Sequence, residues 1–350
     1  MLPLRKLHGR IKYRIEKWKY IHFPLGTKLY VLGTPTHTNI GDSAIVIAEK
    51  DFLIQCGISA KRIKEITVND YNAYEQVLLK QLRANRKYIC CLQGGGNFGD
   101  QWIFEELFRR RIMESLTNKI IVFPQTIFYT DTESGKKEEE RSKAIYSNKP
   151  NLTLVARDKS SYELMNRLYS NTRILLSPDI VLSLNIKKYN LNYSNRKGIM
   201  LCIRNDAEKK VSDSDWDYLK DSISKQEYYV SDMHADSGIS KENREEIVRT
   251  KLQEFSSSKL VITDRLHAMI FAAITGTPCI ALGNYNYKVS GTYEWIDYLP
   301  YIKYADNMFE VITLIPDLLK METCKFDIGP LHNSFTILEE EIKKVCRKSV

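Results

Sequence analysis

A chain of 350 residues is long for one compact domain, and a hydrophobic content of 43% is enough for two cores. The formal charge of +9 is concentrated: residues 1–28 hold eight basic side chains and one acid, Glu16, so the remainder is close to neutral and a nucleic-acid-binding surface spread over the fold is excluded. Seven cysteines without a CxxC pair, no run of 18 apolar residues and no signal-peptide core predict reduced core thiols in a cytoplasmic protein, attached to a membrane at its surface if at all.

Taken in order, residues 1–27 come first, with Leu4, Leu7, Ile11, Ile15 and Trp18 at spacings of three and four and Lys and Arg between them. This is the pattern of a basic amphipathic helix, suited to the anionic inner face of the cell membrane or to packing its stripe on the protein itself. From Lys28 short apolar runs alternate with amphipathic stretches. Strands are predicted at Leu29–Leu32, Lys64–Val68, Tyr88–Leu92, Ile120–Phe123, Leu152–Ala156 and Ile174–Leu176, with helices at Ser43–Gln55, Tyr71–Leu82, Trp102–Leu116, Lys136–Tyr146 and Ser160–Tyr169. Strand, crossover helix, strand is the rhythm of a doubly wound α/β layer, here residues 28–185.

Residues 184–197, rich in Asn and Tyr and without a period, read as a linker. The alternation resumes over 197–320, with strands at Gly198–Ile203, Tyr228–Ser231, Leu260–Ile262 and Cys279–Leu282 and helices at Asp215–Ser222, Arg244–Phe255 and Leu266–Ile274. A final helix is expected over 331–348. Two such layers enclose a cleft at the carboxyl ends of their strands, where α/β sheets place ligands.

The loops after those strands carry the chemistry. Gly33-Thr-Pro-Thr-His-Thr-Asn-Ile-Gly-Asp42 offers Asn39 and Asp42 either to a polyhydroxylated ligand or as helix caps, with His37 in the same loop. Gln93-Gly-Gly-Gly-Asn-Phe-Gly-Asp100 either exposes backbone N–H groups to a ligand at its glycines or lets the two layers approach closely, and it lacks a Walker lysine and a G-x-G-x-x-G fingerprint, which weakens kinase and dinucleotide readings. Pro124-Gln-Thr126, Arg157-Asp158 and Ser177-Pro-Asp179 each read as ordinary turns. Thr263-Asp-Arg-Leu-His267 sits between a buried strand and an apolar helix. There Asp264 can cap the helix, or Arg265 and the helix N-terminus can hold an anion beside His267. Arg204, closing its strand, would face the same cleft. Two arginines with a histidine describe a site for a small dianion and a mobile proton.

Asn39-Ile-Gly-Asp42, Gly94-Gly-Gly-Asn-Phe-Gly-Asp100, Val155-Ala-Arg-Asp158, Ser177-Pro-Asp179 and Thr263-Asp-Arg-Leu-His267, in that order, resemble the polysaccharide pyruvyl transferase family over roughly residues 28–300. The resemblance implies a GT-B-like α/β fold of two Rossmann-type doubly wound domains facing a central cleft. It also implies transfer of pyruvate from phosphoenolpyruvate, as substrate, to a sugar as a cyclic ketal, with no cofactor and no metal. Arg265, Leu266 and His267 match the family's donor-binding Arg-Leu-His, and Arg204 its second donor arginine. Arg265 and His267 are the expected catalytic pair, with His267 as general acid or acid/base. By position on the opposite domain, Asn39, Asp42, Gly95, Asn97 and Asp100 are expected to hold the acceptor, with Asp42, Asn97 and Asp100 orienting the sugar or accepting a hydroxyl proton. A polyprenyl-diphosphate-linked sugar of a capsule or exopolysaccharide repeat unit would suit the basic N-terminal segment, and a homo-oligomer is compatible with this picture. The same two layers would also suit a GT-B glycosyltransferase using a nucleotide sugar, or a non-catalytic carbohydrate-binding partner of a polysaccharide assembly complex.

Overall fold

The computed structural model describes residues 29–193, 195–204, 206, 208–322 and 324–348, so the basic amphipathic segment expected over 1–27 lies outside the described residues. Seven strands form the first sheet: β1 (Leu29–Thr34), β2 (Ile63–Thr67), β3 (Ile89–Leu92), β4 (Gly95–Gly99), β5 (Lys119–Phe128), β6 (Leu152–Ala156) and β7 (Arg173–Leu176). Their order is β2-β1-β3-β5-β6-β7, with β4 added on β5, and every pairing is parallel. Crossovers are α1 (Ile40–Gln55), α2 (Val68–Ala84), α3 (Ile103–Ser115), α4 (Glu133–Tyr146) and α5 (Lys159–Leu168).

A second parallel sheet runs β12-β11-β10-β8-β9, from β8 (Lys197–Cys202), β9 (Tyr228–Ser231), β10 (Ser258–Thr263), β11 (Cys279–Leu282) and β12 (Ile302–Ala305). Its helices are α6 (Asp213–Ser222), α7 (Arg244–Ser257), α8 (Leu266–Ile274), α9 (Lys288–Tyr293) and α10 (Met308–Leu318). In each sheet the chain reverses its winding direction beside the first strand, between β1 and β3 and between β8 and β10. These two switch points face one another, so the loops after those four strands meet in one cleft.

The elements β4, β5, β12, α9 and α10 differ from the sequence expectation. The glycine loop is a strand: β4 pairs with the outer half of β5, which continues through Pro124 instead of stopping before it. The missing proline N–H is absorbed where the register to β6 slips, between Val122 and Gln125. Gly99 makes that pairing feasible, since a Cβ there would stand 1.9 Å from the Phe128 carbonyl oxygen and its φ is +117°. The strand β12 and helix α10 complete the second layer where none was expected, because only Ile302 and Ala305 of β12 are buried and its pattern is too short to read.

The last helix, α11 (His332–Lys348), returns to the first layer. Phe335 packs on Phe52 at 5.9 Å, and Glu341 accepts a hydrogen bond from Thr153 (2.9 Å) and pairs with Arg173 (2.8 Å). The inner faces of both sheets share one continuous apolar core that contains α1 and α8, from Leu29 and Val31 through Ile45 to Val261 and Met269. The outer faces form separate clusters. These two helices, whose first turns border the cleft, are thus held by the largest core among the described residues.

Candidate functional site

The cleft between the switch points has a volume of about 470 Å³ and is lined by Arg204, Arg265, Leu266 and His267 from the second layer and by Asn39, Asp42 and Asn97 from the first. Seven of the nine residues expected to bind donor or acceptor therefore share one space, with His37 and Arg157 beside them. Two do not line it. Gly96 takes the place expected for Gly95, and Asp100 points away, its carboxylate accepting from the Thr130 N–H at 2.8 Å and from the Thr130 hydroxyl. That carboxylate fixes the turn after β5, which is why it is not free to meet a ligand in the cleft.

The second wall is built at the ends of β8 and β10. Thr263 donates its hydroxyl to the Cys202 carbonyl (2.7 Å) and accepts the Arg265 N–H (3.0 Å), while Asp264 accepts the Arg204 N–H (2.8 Å). The backbones of both arginines are thereby locked. Burial pushes the Asp264 carboxyl up to about 6 against the Arg204 N–H and the two arginine charges, and its second oxygen has no hydrogen-bond partner among the described residues.

The two guanidinium groups converge on a single carboxylate. Arg204 contacts Asp206 through Nε at 2.9 Å and Nη2 at 3.2 Å, and Arg265 reaches the same Asp206 through Nη1 at 3.6 Å. Arg204 is further paired with Glu208 (2.8 Å) and Arg265 with Asp232 (2.6 Å). Beside them α8 begins without a capping side chain and without an acid in its first turn, which leaves first-turn N–H groups open to an anion.

His267 sits in that first turn between the layers. Its ring packs against Gly41, where a Cβ would lie 2.3 Å from Nδ1, and its Nε2 stands 3.7 Å from Asp179 without a hydrogen-bond partner among the described residues. Burial alone would raise the Asp179 carboxyl. His267 and Arg157 outweigh that and hold it well below the usual carboxylate range. Arg157, buried, donates to Asp179 (2.7 Å) and to the Thr126 hydroxyl (2.8 Å), which in turn donates to Asp158 (2.6 Å). Three stretches that read as ordinary turns thus make one buried relay behind the imidazole. The local sequence does not show that they meet, because the partners lie at three different strands, β5, β6 and β7.

Glu208 and Lys288 were also not legible in the sequence. Glu208, buried, pairs with Lys288 (2.5 Å) and Arg204 and accepts from the indole of Trp102 (3.0 Å), tying the two walls together. Burial would raise its carboxyl, but Lys288 and Arg204 bring it below its ordinary value, while burial lowers the Lys288 ammonium. The first wall is different in kind. It presents Asp42 with His37 at 3.6 Å, the amide of Asn97, Glu105 and the rings of Trp102 and Phe104. The Asn97 carbonyl oxygen is held by Arg109 (2.8 Å) and Gln125 (3.2 Å). Backbone bonds from Ile40 to Met233 and from Ala235 to Thr38, both 2.8 Å, close one end of the cleft between the layers.

The polysaccharide pyruvyl transferase model matches residues 39–286, from the first cleft loop past Arg265 and His267. General stress protein 30 of Bacillus subtilis (strain 168) is 34% identical over 310 residues, 86% of this chain and 88% of that protein. Pyruvyl transferase 1 of Schizosaccharomyces pombe is 30% identical over 76% of this chain and 68% of its own length. Among solved structures, the UDP-GlcNAc 2-epimerase of Methanocaldococcus jannaschii, in complex with UDP-GlcNAc and UDP, aligns over 90% of this chain and 99% of its own with a TM-score of 0.53 and 12% identity, a likeness of fold. Two facing Rossmann-type layers make the architecture GT-B-like, and with the family motifs gathered at their shared cleft, the chain belongs to the polysaccharide pyruvyl transferase family.

Proposed function

We propose that the protein moves pyruvate from phosphoenolpyruvate to two hydroxyls of a sugar, closing a cyclic ketal and releasing phosphate, and that the sugar belongs to a polyprenyl-linked polysaccharide repeat unit. The observation that carries this reading is the meeting of Arg204 and Arg265 on one carboxylate, Asp206, beside an uncapped helix start. A donor with a carboxylate and a phosphate needs such a pair: the arginines can share its carboxylate as they share Asp206, and the open N–H groups of α8 with Lys288 can take the phosphate.

The chemistry then falls to His267. A proton delivered to the donor methylene turns C2 into an electrophile that a sugar hydroxyl attacks, and imidazole is the side chain that carries a proton near neutrality. Asp179, held ionised by Arg157, would stabilise an imidazolium in that role. The basic residues of 1–27 favour an acceptor displayed at an anionic membrane surface, which would make the protein cytoplasmic and peripheral, serving capsule or exopolysaccharide synthesis. No helix of the described residues is long and apolar enough to cross a membrane.

Incubation with phosphoenolpyruvate and lipid-linked oligosaccharides ending in different hexoses, followed by mass spectrometry, tests the reading. The expected result is a product heavier by one pyruvate ketal, with equimolar phosphate, and its loss in Arg265→Ala and His267→Ala. Stabilisation against heat by UDP and not by phosphoenolpyruvate would point instead to a nucleotide-sugar donor.

A further inference from the structure

Four carboxylates line the cleft, and they are not equivalent. Asp206 is engaged by both arginines, and Glu208 by Arg204, Lys288 and Trp102. Asp42 has His37 at 3.6 Å. Glu105, in the first turn of α3, makes no side-chain hydrogen bond or ion pair among the described residues. The guanidinium that acts on it most, Arg109, is already held by Glu106 (2.5 Å) and Asn97 (2.8 Å) and lies over the Phe98 ring. Trp102 and Phe104, its neighbours in the chain, also line the cleft, so Glu105 belongs to the wall built by the first layer, whereas Arg204 and Arg265 belong to the second. An acid early in a helix also favours the helix dipole, but that role requires no place in the cleft.

From this placement we infer that Glu105 is the general base that takes the proton from the attacking hydroxyl of the acceptor, across the cleft from His267. The inference rests on the pyruvyl-transfer reading and adds the residue that the reading lacks. In the first step the hydroxyl oxygen bonds to C2 of phosphoenolpyruvate, its proton passes to Glu105, and the alkene electron pair takes a proton from His267 to make the methyl group. In the second, the other hydroxyl bonds to C2 as the C–O bond to phosphate breaks, and that hydroxyl's proton leaves on the phosphate. Glu105 then returns its proton to water, and His267 recovers one.

The groups facing Glu105 suit this work. Burial raises its carboxyl above the ordinary value and Asp42 adds to that, against Arg109 and His37. A base must be ionised to act, so the rate falls as pH drops through its pKa.

The test compares wild type, Glu105→Gln and Glu105→Asp in pyruvyl transfer, with phosphoenolpyruvate-induced thermal stabilisation as the control for fold and donor site. Expected for Glu105→Gln is a kcat lower by about a hundredfold or more, with the donor-induced shift in Tm unchanged and the acidic limb of the kcat–pH profile abolished; Glu105→Asp recovers part of the rate. A Glu105→Gln kcat within about threefold of wild type, or an unchanged acidic limb, overturns the inference. A rate loss accompanied by a lost donor-induced shift overturns it too, since the side chain would then act on donor or fold. If wild-type protein binds phosphoenolpyruvate but transfers pyruvate to no sugar, the underlying reading has failed, not the choice of base.

Discussion

Gly41 leaves no room for a side chain beside the imidazole. A methyl group there would lie 2.3 Å from Nδ1 of His267 and 2.6 Å from its Cγ, so the ring must move before alanine can fit. Reactions that depend on a placed proton donor lose roughly a hundredfold for a displacement of about 1 Å. Gly41→Ala is therefore expected to lower kcat by about that factor while leaving donor affinity near wild type, as a KM-against-kcat comparison would reveal; unchanged kcat would mean that the imidazole is not the proton donor. Sequence placed Arg204, Arg265 and His267 correctly in one cleft because each directly follows a strand, where α/β topology leaves little choice. It could not place Arg157, Glu208 or Lys288. Their partners lie 22 or more residues away, except Arg204 four positions before Glu208, and only the closed fold brings them together.

Among the elements, α1 and α8 were legible because their starts carry polar motifs and their bodies are apolar. The strand β4 was not: three consecutive glycines read as a loop, and only the long partner β5 turns them into a paired edge. Gly99 is the point at which this can be probed. Its φ of +117° and the 1.9 Å approach of a Cβ to the Phe128 carbonyl leave no room for alanine. Gly99→Ala should destabilise the protein by about 2–3 kcal/mol and loosen Asn97 with it, seen as a lower urea midpoint and weaker acceptor binding. A midpoint equal to wild type would mean that β4 can leave β5 at little cost. The helix α11 was expected as a separate tail, and its return to the first layer depends on Glu341 and Phe335 finding partners 160 residues and more upstream.

At the scale of the whole molecule, the two layers are joined by a shared apolar core and by a buried clamp at its edge. Arg244 of α7 pairs with Glu65 of β2 at 2.6 Å and donates to the Pro35 carbonyl at 3.2 Å, while Lys50 reaches Glu65 at 2.9 Å. Burial would raise the Glu65 carboxyl, but Arg244 and Lys50 more than offset it and bring it to about 2. A folded-state pKa below the unfolded one stabilises at pH above the unfolded value and is lost as pH falls through the folded one. The clamp should contribute roughly 3 kcal/mol at neutral pH that fades between about pH 4.5 and 2. Arg244→Ala is expected to cost about 3 kcal/mol at pH 7 by leaving Glu65 short of its main partner, and to flatten the loss of stability on acidification. Equal urea midpoints at pH 7 would show that the layers do not need it. An apolar interface of this kind also argues for a cleft preformed around its ligands, without a large hinge motion.

The account turns on two guanidinium groups sharing one small dianion. Titration calorimetry of phosphoenolpyruvate into wild type and Arg265→Lys addresses this directly, because lysine keeps the charge and loses the planar fork. The expected outcome is saturable binding to wild type, weakened by about tenfold or more in Arg265→Lys, with UDP giving no comparable heat. Equal affinity of the two proteins for phosphoenolpyruvate, or no binding to wild type where UDP binds, would contradict it.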